Sequence, residues 1–258
     1  MNAHAARVAA VIPAFNEVRT VATIVHRTAP HVRWVIVVDD GSTDGTAAAL
    51  AGLPVRVLAN GRNLGKGASL LRGFEHALAL GADAVVTLDA DGQHLPEDIP
   101  RLLAASAHRP GDIVIGARLH HRERMPRLRR FGNAMADFWI SWACGYPVRD
   151  TQSGMRLYPG AALARVCPRR ARGFVLESEL LIEAARTGCY ASCIGIDTIY
   201  GSAPRRSHYR TMHDTLAIVA MVAAKLARRG LYPLGLLRSL GLLAHPRAGS
   251  GDRVTMPG

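Results

Sequence analysis

Two aspartates one residue apart are the first groups in the sequence with the spacing of metal ligands. Asp89-Ala-Asp91 follows the apolar run Ala84 to Leu88, so both carboxylates are expected on a turn after a buried strand. Carboxylates at this spacing can both reach a hard divalent cation, and Mg²⁺ or Mn²⁺ held there can bridge the diphosphate of a nucleotide. The cation then offsets the charge that grows on a leaving diphosphate. Gln93 and His94 follow closely enough to add a ligand or to orient one.

Taken alone, an Asp-x-Asp tripeptide is more often a solvated turn or a cap than a metal site. The metal site is favoured here because two other apolar runs also end in polar clusters. Phe15-Asn16-Glu17 follows Val8 to Ile12 and Pro13, and Asp39-Asp40 closes the run Trp34 to Val38. The carboxyl ends of parallel strands meet at one sheet edge, where ligands bind. The sequence therefore predicts four aspartates and a glutamate at that edge.

Two further segments contain groups suited to a nucleotide donor. Residues 39 to 46 read Asp-Asp-Gly-Ser-Thr-Asp-Gly-Thr, and Asp44 can cap the next helix, but three acids in six residues exceed what a cap requires. Asp39 or Asp40 is therefore a candidate to accept hydrogen bonds from the base and the ribose hydroxyls. Lys66 lies between two glycines, where a structural turn and a phosphate contact are about equally supported.

The elements expected to position these groups alternate between strands and helices. Predicted strands are Val8 to Ile12, Trp34 to Val38, Val55 to Ala59, Ala84 to Leu88 and Ile113 to Ile115, with an edge strand in Tyr190 to Tyr200. Predicted helices are Val18 to Ala29, Thr46 to Leu53, Gly67 to Leu80, Phe131 to Ala143 and Phe174 to Arg186. This alternation is typical of an α/β fold with a mostly parallel sheet and helices on both faces.

Charge is distributed unevenly along the chain. Residues 1–100 carry 8 Lys+Arg against 10 Asp+Glu, a net of −2, and residues 101–258 carry 24 against 10, a net of +14. A basic second half can meet nucleic acid, anionic lipid or a phosphorylated substrate. Nucleic acid is not expected as a partner, because aromatic residues make up only 5% and do not interleave with basic ones.

Cysteine usage and hydropathy bear on the cellular compartment. The four cysteines lack paired Cys-x-x-Cys spacing and no signal peptide precedes them, which favours a reducing cytoplasm over a zinc or disulfide framework. The best apolar run, Thr215 to Ala224, falls short of the roughly 20 residues that a spanning helix needs. The expectation is a soluble or peripheral chain.

The predicted domain boundaries follow these changes in character. Residues 1–213 are expected to form one catalytic domain, with a nucleotide and metal half at 1–100 and an acceptor half at 101–213. Residues 214–243 are expected to form an amphipathic helical segment, and 244–258 a disordered tail. The stretch Asp214 to Arg229 has two interpretations, a packed C-terminal helix or a membrane-surface helix. The apolar contacts of the second interpretation are Leu216, Val219, Met221, Val222 and Leu226, with Leu231 to Leu243 extending them.

Seven segments, in order along the chain, resemble the family-two glycosyltransferases of GT-A fold, especially the polyprenol-phosphate mannose and glucose synthases. They are Val11-Ile-Pro-Ala-Phe-Asn-Glu17, Val38-Asp-Asp-Gly-Ser-Thr-Asp-Gly-Thr46, Asn63-Leu-Gly-Lys-Gly67, Leu88-Asp-Ala-Asp-Gly-Gln-His94, Gly116-Ala-Arg118, Asp150-Thr-Gln-Ser-Gly154 with Arg156, and Gly173-Phe-Val-Leu-Glu-Ser-Glu179. The resemblance implies a GT-A, Rossmann-like domain with the C-terminal helical segment as an extension. Where many relatives carry Ser-Lys, this chain has Ser207-His208.

Together with the patterns above, the resemblance implies a role for each candidate residue. Donor-binding residues are expected at Pro13, Ala14, Asn16, Glu17, Asp39, Asp40, Lys66 and Asp89. A divalent cation, Mg²⁺ or Mn²⁺, is expected on Asp89, Asp91 and Gln93, with both aspartates taking part in catalysis. The acceptor phosphate is expected near Arg118, Arg130, Ser153, Arg156 and His208, since the planar fork of arginine suits phosphate.

The activity implied is inverting transfer of a hexose from GDP-mannose or a UDP-sugar to a polyprenyl phosphate or another membrane-proximal acceptor. The enzyme is then expected in the cytoplasm, peripheral at the inner face of the membrane. A lipid phosphate needs no strong base, whereas an alcohol acceptor such as a glycolipid requires one, with Asp150 the first candidate and Glu179 the second. The alternatives are a nucleotidyltransferase, a non-catalytic nucleotide-sugar-binding protein and a basic nucleic-acid-binding protein.

Overall fold

The computed structural model describes residues 7–118, 127–166, 168, 175–198 and 211–244. Seven strands form one sheet in the order β3-β2-β1-β4-β6-β5-β7. Their bounds are β1 Val8–Ala14, β2 Trp34–Asp39, β3 Arg56–Ala59, β4 Ala84–Thr87, β5 Ile113–Ala117, β6 Arg156–Pro159 and β7 Ala191–Gly195. β1 pairs in parallel with both β2 and β4, which confirms the predicted mostly parallel α/β sheet, and β7 is an edge strand as predicted.

Strand β6 is the exception to parallel pairing, and the sequence did not predict it. It runs antiparallel between β4 and β5, with Thr87 opposite Arg156. Because β6 points the other way, its first residue lies at the edge where the parallel strands end. The loop before it, residues 150 to 155, is thereby delivered to the same edge as the aspartates after β4.

Eight helices are described, five of them close to their predicted positions. They are α1 Val21–Thr28, α2 Lys66–Ala79, α3 Ile99–His108, α4 Arg127–Cys144, α5 Gly160–Val166, α6 Leu176–Arg186, α7 Thr211–Ala227 and α8 Pro233–Ser239. The helix predicted over Thr46 to Leu53 was wrong, since only a short 3₁₀ turn, Ala48–Leu50, forms there. Of the alanine-rich turn only Leu50 is buried, so little packing is available to offset the cost of helix nucleation.

The core lies on both faces of the sheet. One cluster combines the sheet with side chains of α2, α4, α6 and α7, and the other combines it with α1 and α3. Helix α2 lies directly on β1, where a Cβ at Gly73 would overlap the side chain of Val11. The glycine therefore permits the close approach that fixes the start of α2, and with it Lys66, at the sheet edge.

The C-terminal segment packs against the domain through α7. Its residues Ile218, Val222 and Leu226 are buried in the core cluster that includes α4. The packed-helix interpretation is therefore correct for this face, and the assignment of Val222 and Leu226 to a membrane contact was wrong. Within the described ranges, every helix is too short or too polar to cross a membrane. Residues 245–258 of the predicted tail lie outside the described residues.

Candidate active site

A cavity of about 660 Å³ opens at the carboxyl edge of the parallel strands. Most predicted site residues line it: Pro13, Ala14, Asn16, Glu17, Asp40, Lys66, Asp89, Asp91, Gln93, Arg118 and Arg156. Sequence reasoning gave no site role to several other lining residues, among them Arg19, Asn63, Ser69, Asn133, Gln152 and Glu177. The expected convergence of acids at this edge is therefore present, and basic residues from the second half of the chain meet it.

Five predicted site residues lie outside that lining or outside the described chain. Asp39 and Ser153 are buried beneath the surface, and Arg130 is exposed on α4. Asp150 is also buried and is not among the lining residues. His208 lies outside the described residues.

Asp40 organises the loop that leads into α2. One of its carboxylate oxygens accepts from the Asn60 amide at 2.7 Å and from the Leu64 backbone N–H at 2.9 Å, and the other accepts from the Gly65 N–H at 2.8 Å. Hydrogen bonds to a buried carboxylate are among the stronger ones in proteins. Asp40 therefore shapes the donor side of the cavity as well as lining it.

Asp39 and Asn16 hold neighbouring turns together. The Asp39 carboxylate accepts from the Ser42 backbone N–H at 3.1 Å, which supports a turn-forming role over the predicted contact with a nucleotide. Asn16 has a left-handed backbone (φ 56°), and its side-chain oxygen accepts from the Thr43 N–H at 2.9 Å. The loop after β1 is thereby fixed to the loop after β2, with Glu17 between them at the cavity wall.

The two aspartates after β4 have different partners: a lysine ammonium lies beside Asp89, and a backbone N–H donates to Asp91. Asp89 Oδ1 lies 2.6 Å from the Lys66 ammonium, whereas Asp91 accepts from the Gln93 backbone N–H at 2.9 Å. Burial, and then the neighbouring Asp89 charge, raise the pKa of Asp91. A divalent cation placed against both carboxylates would remove this unfavourable charge.

The donor set around these aspartates fits a hard cation that is only partly ligated by protein. In the described part of the chain, no group of three or more His, Cys, Asp or Glu side chains is arranged to hold a metal alone. Two lining residues, His94 and Glu177, each keep one buried polar atom without a hydrogen-bond partner among the described residues. A ligand that brings its own oxygens, such as a diphosphate, would complete the cation's coordination, whereas the Glu177 oxygen requires a donor such as a sugar hydroxyl.

Lys66 connects the two halves of the site. Its ammonium lies 2.6 Å from Asp89 and 3.0 Å from Glu177, which belongs to the first turn of α6. No local pattern in the sequence would have paired Glu177 with Lys66. The other candidate base, Glu179, lies 2.9 Å from Lys225 and is not among the lining residues.

Asp150 and Arg118 form a buried two-pronged ion pair. Arg118 Nε and Nη2 donate to the two carboxylate oxygens of Asp150 at 2.9 and 2.6 Å, and the Arg118 backbone N–H donates at 2.7 Å. Asp150 itself adopts a left-handed backbone (φ 48°), and Asp137 accepts from its N–H at 3.1 Å. The geometry therefore favours Asp150 as the group that positions Arg118 at the cavity wall over Asp150 as a general base.

Buried side chains stabilise the loop between Asp150 and β6 by donating hydrogen bonds to backbone carbonyl oxygens. The buried guanidinium of Arg156 donates to the carbonyl oxygens of Ser153, Glu177 and Thr151 at 2.8, 2.9 and 2.6 Å. Ser153 donates to the Gly116 carbonyl oxygen at 2.5 Å. These contacts support a structural role for Arg156 and Ser153. A Cβ at Gly154 would overlap the Asp89 carboxylate, so this glycine allows the loop to approach the aspartate pair.

Replacing Lys66 with methionine is expected to lower the free energy of unfolding at pH 7 by about 1–3 kcal/mol, because Asp89 and Glu177 lose their shared cation. Burial alone would raise the pKa of Asp89, but Lys66 holds it at about 2, below its ordinary value of 3.8. This lowered pKa stabilises the folded state above pH 3.8, and the contribution is lost as the pH falls towards 2. The deficit of the variant in urea titrations should therefore shrink below about pH 4.

Lys225→Met is the matched control for this variant. Lys225 also lies between two glutamates, Glu179 and Glu183, but this partly buried triad between α7 and α6 lies away from the cavity, and its loss is expected to cost about 1 kcal/mol or less. Equal losses in the two variants, or a Lys66→Met deficit as large at pH 3 as at pH 7, would contradict the account of Lys66.

The chain was compared with known families and proteins. The model of the family described as glycosyl transferase family 2 matches residues 9–163. The chain is 31% identical over 212 residues to a UDP-N-acetylglucosamine–dolichyl-phosphate N-acetylglucosaminyltransferase of Methanococcus voltae, covering 74% of this chain and 84% of the relative. It is 32% identical over 199 residues to an undecaprenyl-phosphate mannosyltransferase of Micrococcus luteus, covering 70% and 79%.

A solved structure gives the same picture of the fold. Glucosyl-3-phosphoglycerate synthase from Mycobacterium tuberculosis, in complex with Mn²⁺, uridine diphosphate and glucosyl-3-phosphoglycerate, superimposes with a TM-score of 0.61 at 23% identity. The match covers 88% of this chain and 81% of that one. This likeness concerns the fold, and it confirms the GT-A, Rossmann-like architecture that the sequence predicted.

Proposed function

Since the chain belongs to glycosyl transferase family 2, we propose that it moves a hexose from a nucleotide-sugar donor to a polyprenyl phosphate with the help of a divalent cation. The observation that carries this proposal is the meeting of two groups of opposite charge in one cavity. Asp89 and Asp91 lie on one side, and Arg118, held by Asp150, lies on the other. A cation-bound diphosphate and an anionic acceptor are the two partners that such a cavity suits.

The donor side of the proposal rests on the first half of the chain. Asp89, Asp91 and Gln93 would hold Mg²⁺ or Mn²⁺, which when bound supplies Lewis-acid stabilisation of the leaving diphosphate. Lys66 is oriented by Asp89 and Glu177 at the same wall, where its ammonium can contact donor phosphate. Pro13, Ala14 and the loop organised by Asp40 form the side of the cavity assigned to the nucleoside.

A lipid phosphate is favoured over an alcohol as the acceptor, because neither of the two candidate bases is available to deprotonate an alcohol. Both oxygens of Asp150 accept from Arg118, and Glu179 pairs with Lys225 away from the cavity. A lipid phosphate is already anionic at neutral pH and attacks without losing a proton to the enzyme. The two relatives named above, whose names specify dolichyl and undecaprenyl phosphates, agree with this choice. The proposed location is the cytoplasmic face of the membrane, where such an acceptor is reached.

Release of nucleoside diphosphate from GDP-mannose, UDP-glucose and UDP-N-acetylglucosamine tests the proposal. Each donor is incubated with and without Mn²⁺, and with polyprenyl phosphate or the matching polyprenol. We expect one donor to be turned over only when both Mn²⁺ and the lipid phosphate are present. Equal turnover with polyprenol would replace the phosphate acceptor by an alcohol, and release of pyrophosphate would identify a nucleotidyltransferase instead.

A further inference from the structure

Helices α4 and α8 present a continuous apolar surface. Its members, called the apolar ridge here, are Phe131 and Phe138 of α4, Leu234 and Leu237 of α8, and Leu240 directly after α8. Phe131 and Leu234 are 66% and 54% exposed. Scattered exposed leucines are ordinary on soluble proteins, but a patch of large apolar side chains is not.

The ridge is one surface because the two helices are fixed to each other. Phe131 and Phe138 are seven residues apart and so share a face of α4. The ring of Phe138 lies 6.2 Å from that of Trp142, and the Trp142 indole N–H donates to the carbonyl oxygens of Leu231 and Tyr232 at 3.1 and 3.2 Å. Tyr232 directly precedes α8, so the aromatic face of α4 continues into the leucines of α8.

The charged residues next to the ridge along α8 and the turn before it are basic. Residues 215–244 contain no acidic side chain; Lys225 is paired with Glu179 and Glu183 of α6, and the other basic residues are Arg228, Arg229 and Arg238. On α4 the only acid is Asp137, which accepts hydrogen bonds from Thr151, while Arg130 is exposed. Leucine and aromatic side chains bordered by arginine are the composition that binds an anionic bilayer surface.

We propose that the apolar ridge is the face by which this protein docks on an anionic lipid bilayer. A second copy of the chain would suit the ridge less well, because two ridges placed face to face would bring arginines together with no acids to pair them. The bilayer removes the same apolar side chains from water and supplies the negative charge. This surface overlaps the Leu231 to Leu243 extension that the sequence suggested but not the predicted contact on α7, where Val222 and Leu226 are buried.

Docking by the ridge would also hold the cavity close to the bilayer. Asn133, which lines the cavity, is two residues from Phe131 on α4, and the two side chains point to opposite sides of the helix, so the cavity would lie beside the docked face. This step rests on the proposed function: a polyprenyl phosphate held in the bilayer would then have its phosphate near Arg118 without leaving the membrane surface.

Sedimentation with vesicles tests the docking face without any donor sugar, so its result is independent of the proposed reaction. Wild-type protein is expected to bind vesicles of phosphatidylglycerol and phosphatidylcholine, and to bind pure phosphatidylcholine more weakly. The double variant Leu234→Gln, Leu237→Gln should lose about tenfold or more in partition, since two leucines no longer enter the interface. Leu216→Gln is the control, because Leu216 is 62% exposed on α7 outside the ridge and should leave binding unchanged.

Circular dichroism is the control that checks whether both variants fold. With acceptor dissolved in detergent, the double variant should keep its turnover, and with acceptor in vesicles it should lose it. Vesicle binding that survives the double variant, or that falls equally in Leu216→Gln, would overturn the proposal. A wild-type dimer in light scattering that the double variant abolishes, without vesicle binding in either, would assign the ridge to a second copy of this chain.

Discussion

Replacing Asp91 with asparagine is expected to lower turnover by about a hundredfold to a thousandfold, because the cation stabilises the leaving diphosphate by several kcal/mol and loses a charged ligand. Asparagine keeps the size of the side chain and an oxygen that can accept from the Gln93 N–H. Nucleoside-diphosphate release, measured over a range of Mn²⁺ concentrations, should show that the variant needs more cation and still does not reach the wild-type rate.

The stability of Asp91→Asn should move in the opposite direction from its activity. Burial and the Asp89 charge raise the pKa of Asp91, so the folded state favours its neutral form and at neutral pH carries the charge at a cost. The variant should therefore unfold at the same urea concentration as wild type, or a higher one. Asp83→Asn is the control for both assays, since its side chain is 67% exposed and far from the cavity lining. A variant with full activity at low Mn²⁺ would remove Asp91 from the metal site.

Replacing Asp150 with alanine is expected to lower the free energy of unfolding by about 3–5 kcal/mol, because the buried Arg118 guanidinium loses the carboxylate to which it donates two charge-assisted hydrogen bonds. The side chains of this pair are only 6% and 5% exposed, and three hydrogen bonds from Arg118 end on the one carboxylate. Urea unfolding at pH 7 measures the loss directly. Activity should fall as well, since Arg118 is no longer fixed at the cavity wall.

Glu97→Ala is the matched control on the surface. Glu97 pairs with Arg27 at 2.6 Å, but the two side chains are 51% and 34% exposed, so the loss should stay below about 1 kcal/mol. The same experiment distinguishes the two roles considered for Asp150. An Asp150→Ala protein as stable as wild type but inactive would restore Asp150 as a general base and with it an alcohol acceptor.

Local sequence patterns predicted most of the donor half correctly. The runs around Val8 to Ile12 and Trp34 to Val38 became β1 and β2, and the aspartates after β4 line the cavity as expected. These predictions succeeded because a parallel strand buried on both faces has a distinctive apolar run, and its end fixes where the next polar residues lie. The Thr46 to Leu53 helix failed for a related reason, since its alanines satisfy helix propensity but bury almost nothing.

The acceptor half was harder to predict because its site residues act through partners distant in the sequence. The sequence placed Arg156 and Ser153 beside an acceptor phosphate, whereas their donors end on backbone oxygens of the loop and of β5. It gave Asp150 a chemical role, whereas the structure pairs it with Arg118. An arginine in a motif looks the same in sequence whether its guanidinium faces a ligand or a carbonyl oxygen.

The sequence by itself determined the fold class, the edge of the sheet that carries the site and the aspartate pair at its centre. Each of these depends on burial and turn formation within a short stretch of chain. Both can be predicted from the spacing of apolar residues and from residue type. Only the tertiary structure decided that Lys66 joins Asp89 to Glu177, that β6 runs antiparallel, and that one face of α7 is buried while the leucines of α8 are exposed. These features depend on which distant segments meet, and they are settled by the packing of the whole domain.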